Sequence, residues 1–349
     1  MDSISQIALG AAVGIATMGR RTAVWKAALW GAVAGTLPDL DVFIDQGDAV
    51  RNMVLHRAET HSLFWLTLFS LPFAALVAGV HKEWAMWRRW WLAMWLVLVT
   101  HPLLDTMTVY GTQLALPFTD YPYGVGSVFI IDPLYTVPLL VGAAWALVAR
   151  GGAGSADSAG NTASVSRGLR ANTVGLVLST AYLVWGVMAQ QHVERIARDA
   201  LARQGISAEQ LLVTPAPLNT LLWRVVAMSG AHYYEGFYSV LDTTPTVQFD
   251  RFDRGQSLEA QLQGLDSVRR ISAFSKGFYK LEQVGQQLFI SDLRMGQEPG
   301  YSFRFLVADG LNPLQSLERP LQKSERLDLK RGLPWLWQRM LGERVPPPR

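Results

Sequence analysis

Up to about residue 190 the chain runs as long apolar stretches separated by short polar breaks, and after that its texture changes. The apolar stretches are 4–18 ("ISQIALGAAVGIATM"), 24–44 (apolar until "PDLD"), 62–80 ("SLFWLTLFSLPFAALVAGV"), 84–100 (rich in tryptophan), 128–149 and 171–190. A membrane-crossing helix needs roughly 20 mostly apolar residues, and about 17 suffice. The last four stretches meet that length. The first two are marginal and predict either a partly re-entrant pair or a buried hairpin. The pattern therefore predicts a polytopic α-helical membrane domain of about six helices. Between the last two stretches lies "GGAGSADSAGNTASVSRG", 151–168, which lacks apolar periodicity and reads as a flexible loop.

Beyond residue 191 charges return. Short alternating runs, "QQLFISDLRM" (286–295) and "YSFRFLVADG" (301–310), predict strands. "VERIARDALARQG" (193–205) predicts an amphipathic helix ending at Gly205. Residues 312–333 read as loop-rich and helical, and the final "VPPPR" as frayed. The expected division is a membrane-embedded domain over 1–150, a loop over 151–170, a last membrane helix over 171–190 and a soluble α+β domain over 191–349.

Composition supports that division. Half of the residues are hydrophobic and 17% are charged, against about a quarter charged in a typical soluble domain. The formal net charge is only +3, and no basic helix or aromatic–basic repeat points to nucleic acid. The absence of cysteine excludes disulfides, thiolate zinc ribbons and thiol catalysis. Asp2 stands where a secretory signal carries basic residues, so the first segment is expected to be retained. Arg20, Arg21 and Lys26, then Lys82, Arg88 and Arg89, then Arg150, Arg167 and Arg170 fall on one side under six crossings. The basic side is expected to be cytoplasmic. That puts the C-terminal domain outside, in the periplasm of a Gram-negative cell; five crossings would put it inside.

The opposite helix ends carry Asp39 and Asp41 in "LPDLDVF", His56, Glu59 and His61 in "LHRAETHSLF", His101 and Asp105 in "THPLLD", and Asp132 in "FIIDPLY". Imidazole and carboxylate together suit zinc, manganese or iron. His101 and Asp105, four apart, share a helical face, although Pro102 predicts a break beside them. His56 and His61, five apart, need a loop to meet. Each motif also has a structural alternative. Asp39 and Asp41 can form a helix-terminal turn, His56 and Glu59 can be solvated loop residues, His101 with Asp105 can brace a kink, and Asp132 can cap the next helix. Ionisable groups near a bilayer cost roughly 2.5–3.5 kcal/mol each, and a shared cation would offset their mutual repulsion. The tryptophans at 84, 87, 90, 91 and 95 are read as interfacial anchors.

"GTLPDLDVF", "HRAETHSLF", "THPLLDTMTVYGTQLALPF" and "FIIDPLYTVPLL", in that order, resemble the membrane-bound, metal-dependent hydrolases of the YbcI/YdjM-like family over roughly residues 1–145. "FSKGFY" (274–279) and "DLRMG" (292–296) resemble the tail of its longer members. The resemblance implies Asp39, His56, His61, His101 and Asp105 as metal ligands, with Asp41 and Asp132 in support. Many relatives carry a Thr-His pair in the first helix where this chain has Ser5-Gln6; Gln6 offers only a carbonyl oxygen.

A hydrolase of this kind would hold one or two divalent ions, zinc first, and acidify a water toward a pKa of about 7. Asp41, Glu59 or Asp132 would take its proton or orient an imidazole. A site at the surface of a bacterial inner membrane makes a lipid or lipid-linked phosphoester the expected substrate. The rival expectations are a metal or proton transporter, and a non-catalytic scaffold with an exported interaction domain.

Overall fold

Each of the six apolar stretches is helical in a computed structural model that describes residues 1–149, 158–311, 313–324 and 328–349. In chain order the first seven helices are α1 (Ser3–Met18), α2 (Val24–Thr36), α3 (Ala49–Leu55), α4 (Leu63–Val80), α5 (Trp87–Thr106), α6 (Pro133–Val148) and α7 (Ser158–Arg203). The chain forms two units. One comprises Met1–Asp41, Arg57–Val125 and Ile130–Trp185; the other comprises Val42–His56, Gly126–Phe129 and Gly186–Arg349. The expected boundary near 150–190 is thus crossed twice by earlier segments.

In the first unit the caps explain the helix starts. Asp2 accepts from the Ile4 and Ser5 amides at the head of α1, Ser62 accepts from Trp65 at the head of α4, and Asp132 accepts from Leu134 with Pro133 following. α2 stops at Thr36, before a 3-10 turn over Pro38–Phe43, as expected for residues approaching a proline. The predicted break at Pro102 does not occur. Proline forfeits one backbone bond, yet α5 runs on to Thr106.

α1 and α2 touch through their backbones. A Cβ on Gly31 would lie 2.1 Å from the Gly10 oxygen, and one on Gly35 would lie 2.6 Å from the Gln6 oxygen. Small residues permit such close helix approach. α7 meets α6 in the same way: a Cβ on Gly175 would fall 2.4 Å from the Pro138 oxygen, and one on Gly168 2.9 Å from the Ala146 Cα. Between α1, α2, α4 and α5 the core is apolar, built from Met18, Leu66, Phe73, Trp90, Met94 and Leu98 among others. At one end Glu83 accepts from Lys26 (2.7 Å), Thr22 (2.9 Å) and Trp90 (2.9 Å).

Among the described residues two helices are long and apolar enough to cross a membrane, Leu63–Val80 and the Ser164–Arg203 part of α7. α1 and α6 are apolar but shorter, at 16 residues each. The loop expected over 151–170 is corrected from Ser158 onward, where α7 has begun; 150–157 lie outside the described residues. The glycines that suggested a loop include Gly168, which serves close packing. Residues 193–203 continue α7 rather than form a separate helix, and Gly205 follows its end with φ +69°.

The second unit is α+β, with two four-stranded antiparallel sheets and a small hairpin among the described residues. The first sheet runs in order through β1 (Gln210–Pro215), β2 (Leu222–Ser229), β3 (His232–Ser239) and β4 (Phe249–Asp253). α8 (Glu259–Leu262) and α9 (Asp266–Phe274) follow, then β5 (Tyr279–Val284), β6 (Gln287–Asp292), the hairpin β7 (Gly296–Gln297) with β8 (Gly300–Tyr301), β9 (Arg304–Leu311), β10 (Leu314–Gln322) and α10 (Leu329–Met340). The second sheet has the order β10-β9-β6-β5. The strands predicted in 286–295 and 301–310 are β6 and β9. Residues 312–333, read as loop and helix, contain β10, an edge strand where Pro320 is tolerated. α3 packs on α9 and β10 and buries Val50 and Met53, worth about 1.5–3 kcal/mol each.

An ion-pair network centred on the buried Arg224–Glu235 pair ties this unit together. Arg224 Nε donates to Glu235 Oε2 at 2.7 Å and its Nη1 to the Leu293 oxygen at 2.7 Å. Arg349 Nη1 donates to Glu235 Oε1 at 2.6 Å and Nη2 to Asp250 at 2.7 Å. The final residues, read as frayed, are held by these contacts.

Candidate metal centre

Four donors converge in the first unit: Asp39, His61, His101 and Asp105. α5 supplies His101 and Asp105 from one face. The 3-10 turn after α2 supplies Asp39, and a second one, Glu59–His61, supplies His61 just before α4. His61, His101 and Asp105 are fully buried, whereas the Asp39 side chain is 16% exposed.

The ring protons can be assigned from their partners. His101 Nδ1 lies 2.7 Å from the Gly35 carbonyl oxygen, which can only accept, so Nδ1 carries the proton. Thr60 Oγ1 donates to Asp41 Oδ2 at 2.7 Å and therefore accepts from His61 Nδ1 at 2.9 Å. As neutral rings, both imidazoles turn an Nε2 lone pair toward the centre, and the two Nε2 atoms are 3.2 Å apart. Asp39 Oδ1 lies 3.4 Å from each Nε2. Asp105 Oδ2 lies 3.3 Å from His61 Nε2 and 3.5 Å from His101 Nε2.

Those separations fit an ion. A tetrahedral centre with ligands at about 2.0–2.1 Å has donor–donor edges of about 3.3–3.4 Å. A proton bridges two atoms; four donors within 4.8 Å of one another, with both imidazoles 3.2–3.5 Å from each other and from the two carboxylates, match a metal ion better. Burial opposes the charge on Asp39, yet the contacts with His101 and His61 prevail and hold its carboxyl below the usual range. Burial likewise pushes His61 down, and its contacts with Asp105 and Asp39 overcome that and raise it. Both directions mark a place that favours positive charge.

Supporting groups fix three of the donors. Gln6 Nε2 donates to Asp105 Oδ1 at 3.0 Å and to the His101 oxygen at 3.2 Å, and the Met1 nitrogen also meets Asp105 Oδ1. Arg57, 4% exposed, sets its Nε 3.4 Å from Asp105 Oδ2 and its guanidinium over the Tyr110 ring at 4.9 Å. The Arg57 amide donates to Asp41 Oδ2 at 2.9 Å. Gln6 thus braces a ligand carboxylate, while its own Oε1 is buried without a hydrogen-bond partner.

The other expected residues are placed differently. His56 ends α3 in the second unit and is not among the converging donors; Arg57, which follows it, has φ +67°. Glu59 is exposed on its 3-10 turn and is not part of the group. Asp132 is a buried helix cap that also accepts from the Tyr182 hydroxyl at 2.9 Å, and it lies outside the group. Asp41 acts through Thr60 on His61. Thr60, Arg57 and Gly35 were passed over in the sequence, though "HRAETH" and "GTLPD" contain them.

The Thr60 link yields a direct expectation. Thr60→Val keeps the volume and removes the acceptor of the His61 proton. It is expected to weaken divalent-ion affinity by about 10–100-fold, read by competition with a chelator, while Thr60→Ser restores it.

Residues 1–193 match the YdjM inner membrane protein family. Over 264 residues the chain is 25% identical to a protein of Bacillus subtilis (strain 168) called "Uncharacterized protein YfhP", covering 72% of this chain and 74% of that one. No solved structure matches the chain. The family match takes in more than half of the chain and all four donors, so the chain belongs to the YdjM inner membrane protein family.

Proposed function

We propose that this protein is an inner-membrane, metal-dependent hydrolase acting on a lipid or lipid-linked phosphoester. The observation that carries the reading is the pair of imidazoles with Nδ1 protons committed elsewhere, their Nε2 atoms 3.2 Å apart between two carboxylates. Zinc suits the donor set and its spacing. When bound, the ion supplies a Lewis acid and a water acidified toward a pKa of about 7. Gly35 and Thr60 hold the imidazoles in one tautomer, Gln6 holds Asp105, and Arg57 keeps a fixed positive charge beside the site that suits an anionic substrate.

Phe64, Trp65, Phe118, Tyr121 and Tyr123 are exposed, and Ser62, one residue past His61, is tied to this loop by its bond to the Leu116 oxygen at 2.5 Å. Aromatic residues of this kind favour the headgroup layer, which supports a lipid-borne substrate. In this reading about six helices span the membrane, the basic loops are cytoplasmic and the C-terminal unit is periplasmic. A conduit would need polar groups along its path, whereas the described core between α1, α2, α4 and α5 is apolar.

The test is release of phosphate or headgroup from a panel of phospholipids and polyprenyl phosphates by the detergent-purified protein. Turnover should be abolished by a chelator, return on adding zinc or manganese, and vanish in His101→Ala. Ion-independent release, or none with any phosphoester, sinks the reading.

A further inference from the structure

A centre whose four protein donors are all permanent is closed, as structural zinc sites are; a catalytic centre keeps a place for water or substrate. The hydrolase reading therefore requires one donor to yield. The four are unequal in a way that identifies it. His61 is tethered through Thr60 to Asp41, His101 to the Gly35 carbonyl, and Asp105 to Gln6 and Arg57. The described side-chain contacts of Asp39 are with the two imidazoles alone. Asp39 is also the donor reached by solvent, at 16% side-chain exposure against 0–1% for the other three. It sits on a short 3-10 turn, where the two residues of the pair on α5 are held by a continuous helix.

We propose that Asp39 is the exchangeable donor of the centre, with His61, His101 and Asp105 as the permanent set. Asp39 closes the site at rest and swings off to admit an oxygen of an anionic ligand from the exposed side. This rests on reading the four residues as a metal centre.

The test uses the full-length protein in detergent, as wild type and as Asp39→Ala, Asp39→Asn, Asp105→Ala and Asp105→Asn. Each is loaded with zinc or cobalt(II), and ion content and affinity are measured by chelator competition. The cobalt forms are then titrated with azide while the visible spectrum is followed. Asp39→Ala is expected to keep one ion per chain with affinity within about tenfold of wild type, and the Asp105 variants to lose more than the ~10–100-fold typical of a supporting residue. Azide should change the cobalt spectrum of Asp39→Ala at lower concentration than that of wild type. The asparagine variants keep side-chain volume and guard against a failure to fold. If the Asp39 variants lose the ion as completely as the Asp105 variants, or if azide perturbs wild type and Asp39→Ala equally, Asp39 is a permanent ligand and the proposal falls while the metal centre stands. Wild type that takes up neither ion overturns the centre itself.

Discussion

Protein purified in detergent with His61→Ala and His101→Ala together is expected to lose its divalent ion entirely, while wild type retains it through gel filtration. Two of four donors are removed, and they are the two whose lone pairs the surrounding residues aim inward. Neither carboxylate can replace them: Asp105 is pinned by Gln6 and Arg57, and Asp39 holds one edge of the cluster. The loss should exceed the ~10–100-fold expected for Thr60→Val, because a ligand and not its support is missing. Elemental analysis beside the wild type checks it. Equal ion content in both proteins would rule out this donor set. Helical content should be unchanged, since the apolar core between α1, α2, α4 and α5 does not include the two rings.

The second large effect concerns the C-terminal unit. Glu235→Ala leaves Arg224, 4% exposed, and Arg349 facing each other without the carboxylate that both address. Breaking a buried ion pair from one side costs about 3–5 kcal/mol, a large part of a domain's stability of about 5–15 kcal/mol. The unit should become sensitive to trypsin between residues 191 and 349 at temperatures where wild type resists, with the membrane helices still protected. Replacing both partners with apolar residues, Arg224→Met with Glu235→Leu, should cost less than the single change. A single variant as resistant as wild type would show that the carboxylate is dispensable.

The candidate site was legible to the extent that its donors had partners on the same element. His101 and Asp105 could be paired because a helix repeats every 3.6 residues, and α5 carries them as that spacing requires. His61 and Asp39 were recognisable as polar groups ending apolar stretches. His56 was not separable from His61 by spacing, because the left-handed backbone at Arg57 is invisible in an arginine. Thr60 and Gly35 were missed because their contributions, a hydroxyl relay and a carbonyl, are not side-chain chemistry that a motif advertises.

In the fold, the six helical stretches followed hydropathy, but the start of α7 did not. Gly168 read as loop when it is a place where α7 approaches α6. β10 was obscured because an edge strand bearing Pro320 lacks a clean alternation. α3 was lost inside a polar break, and its burial depends on α9 and β10, more than 200 residues later in the chain.

Gly35 answers to two neighbours at once. Its missing side chain lets α2 lie against the Gln6 carbonyl, and its own carbonyl holds the proton that fixes the tautomer of His101. The spacing of two helices and the basicity of a ligand are therefore mechanically linked. Under the proposed function, lateral stress that pries α1 from α2 would reach the donors through that peptide group and through the Gln6–Asp105 bond, so membrane thickness and tension would become variables of the site.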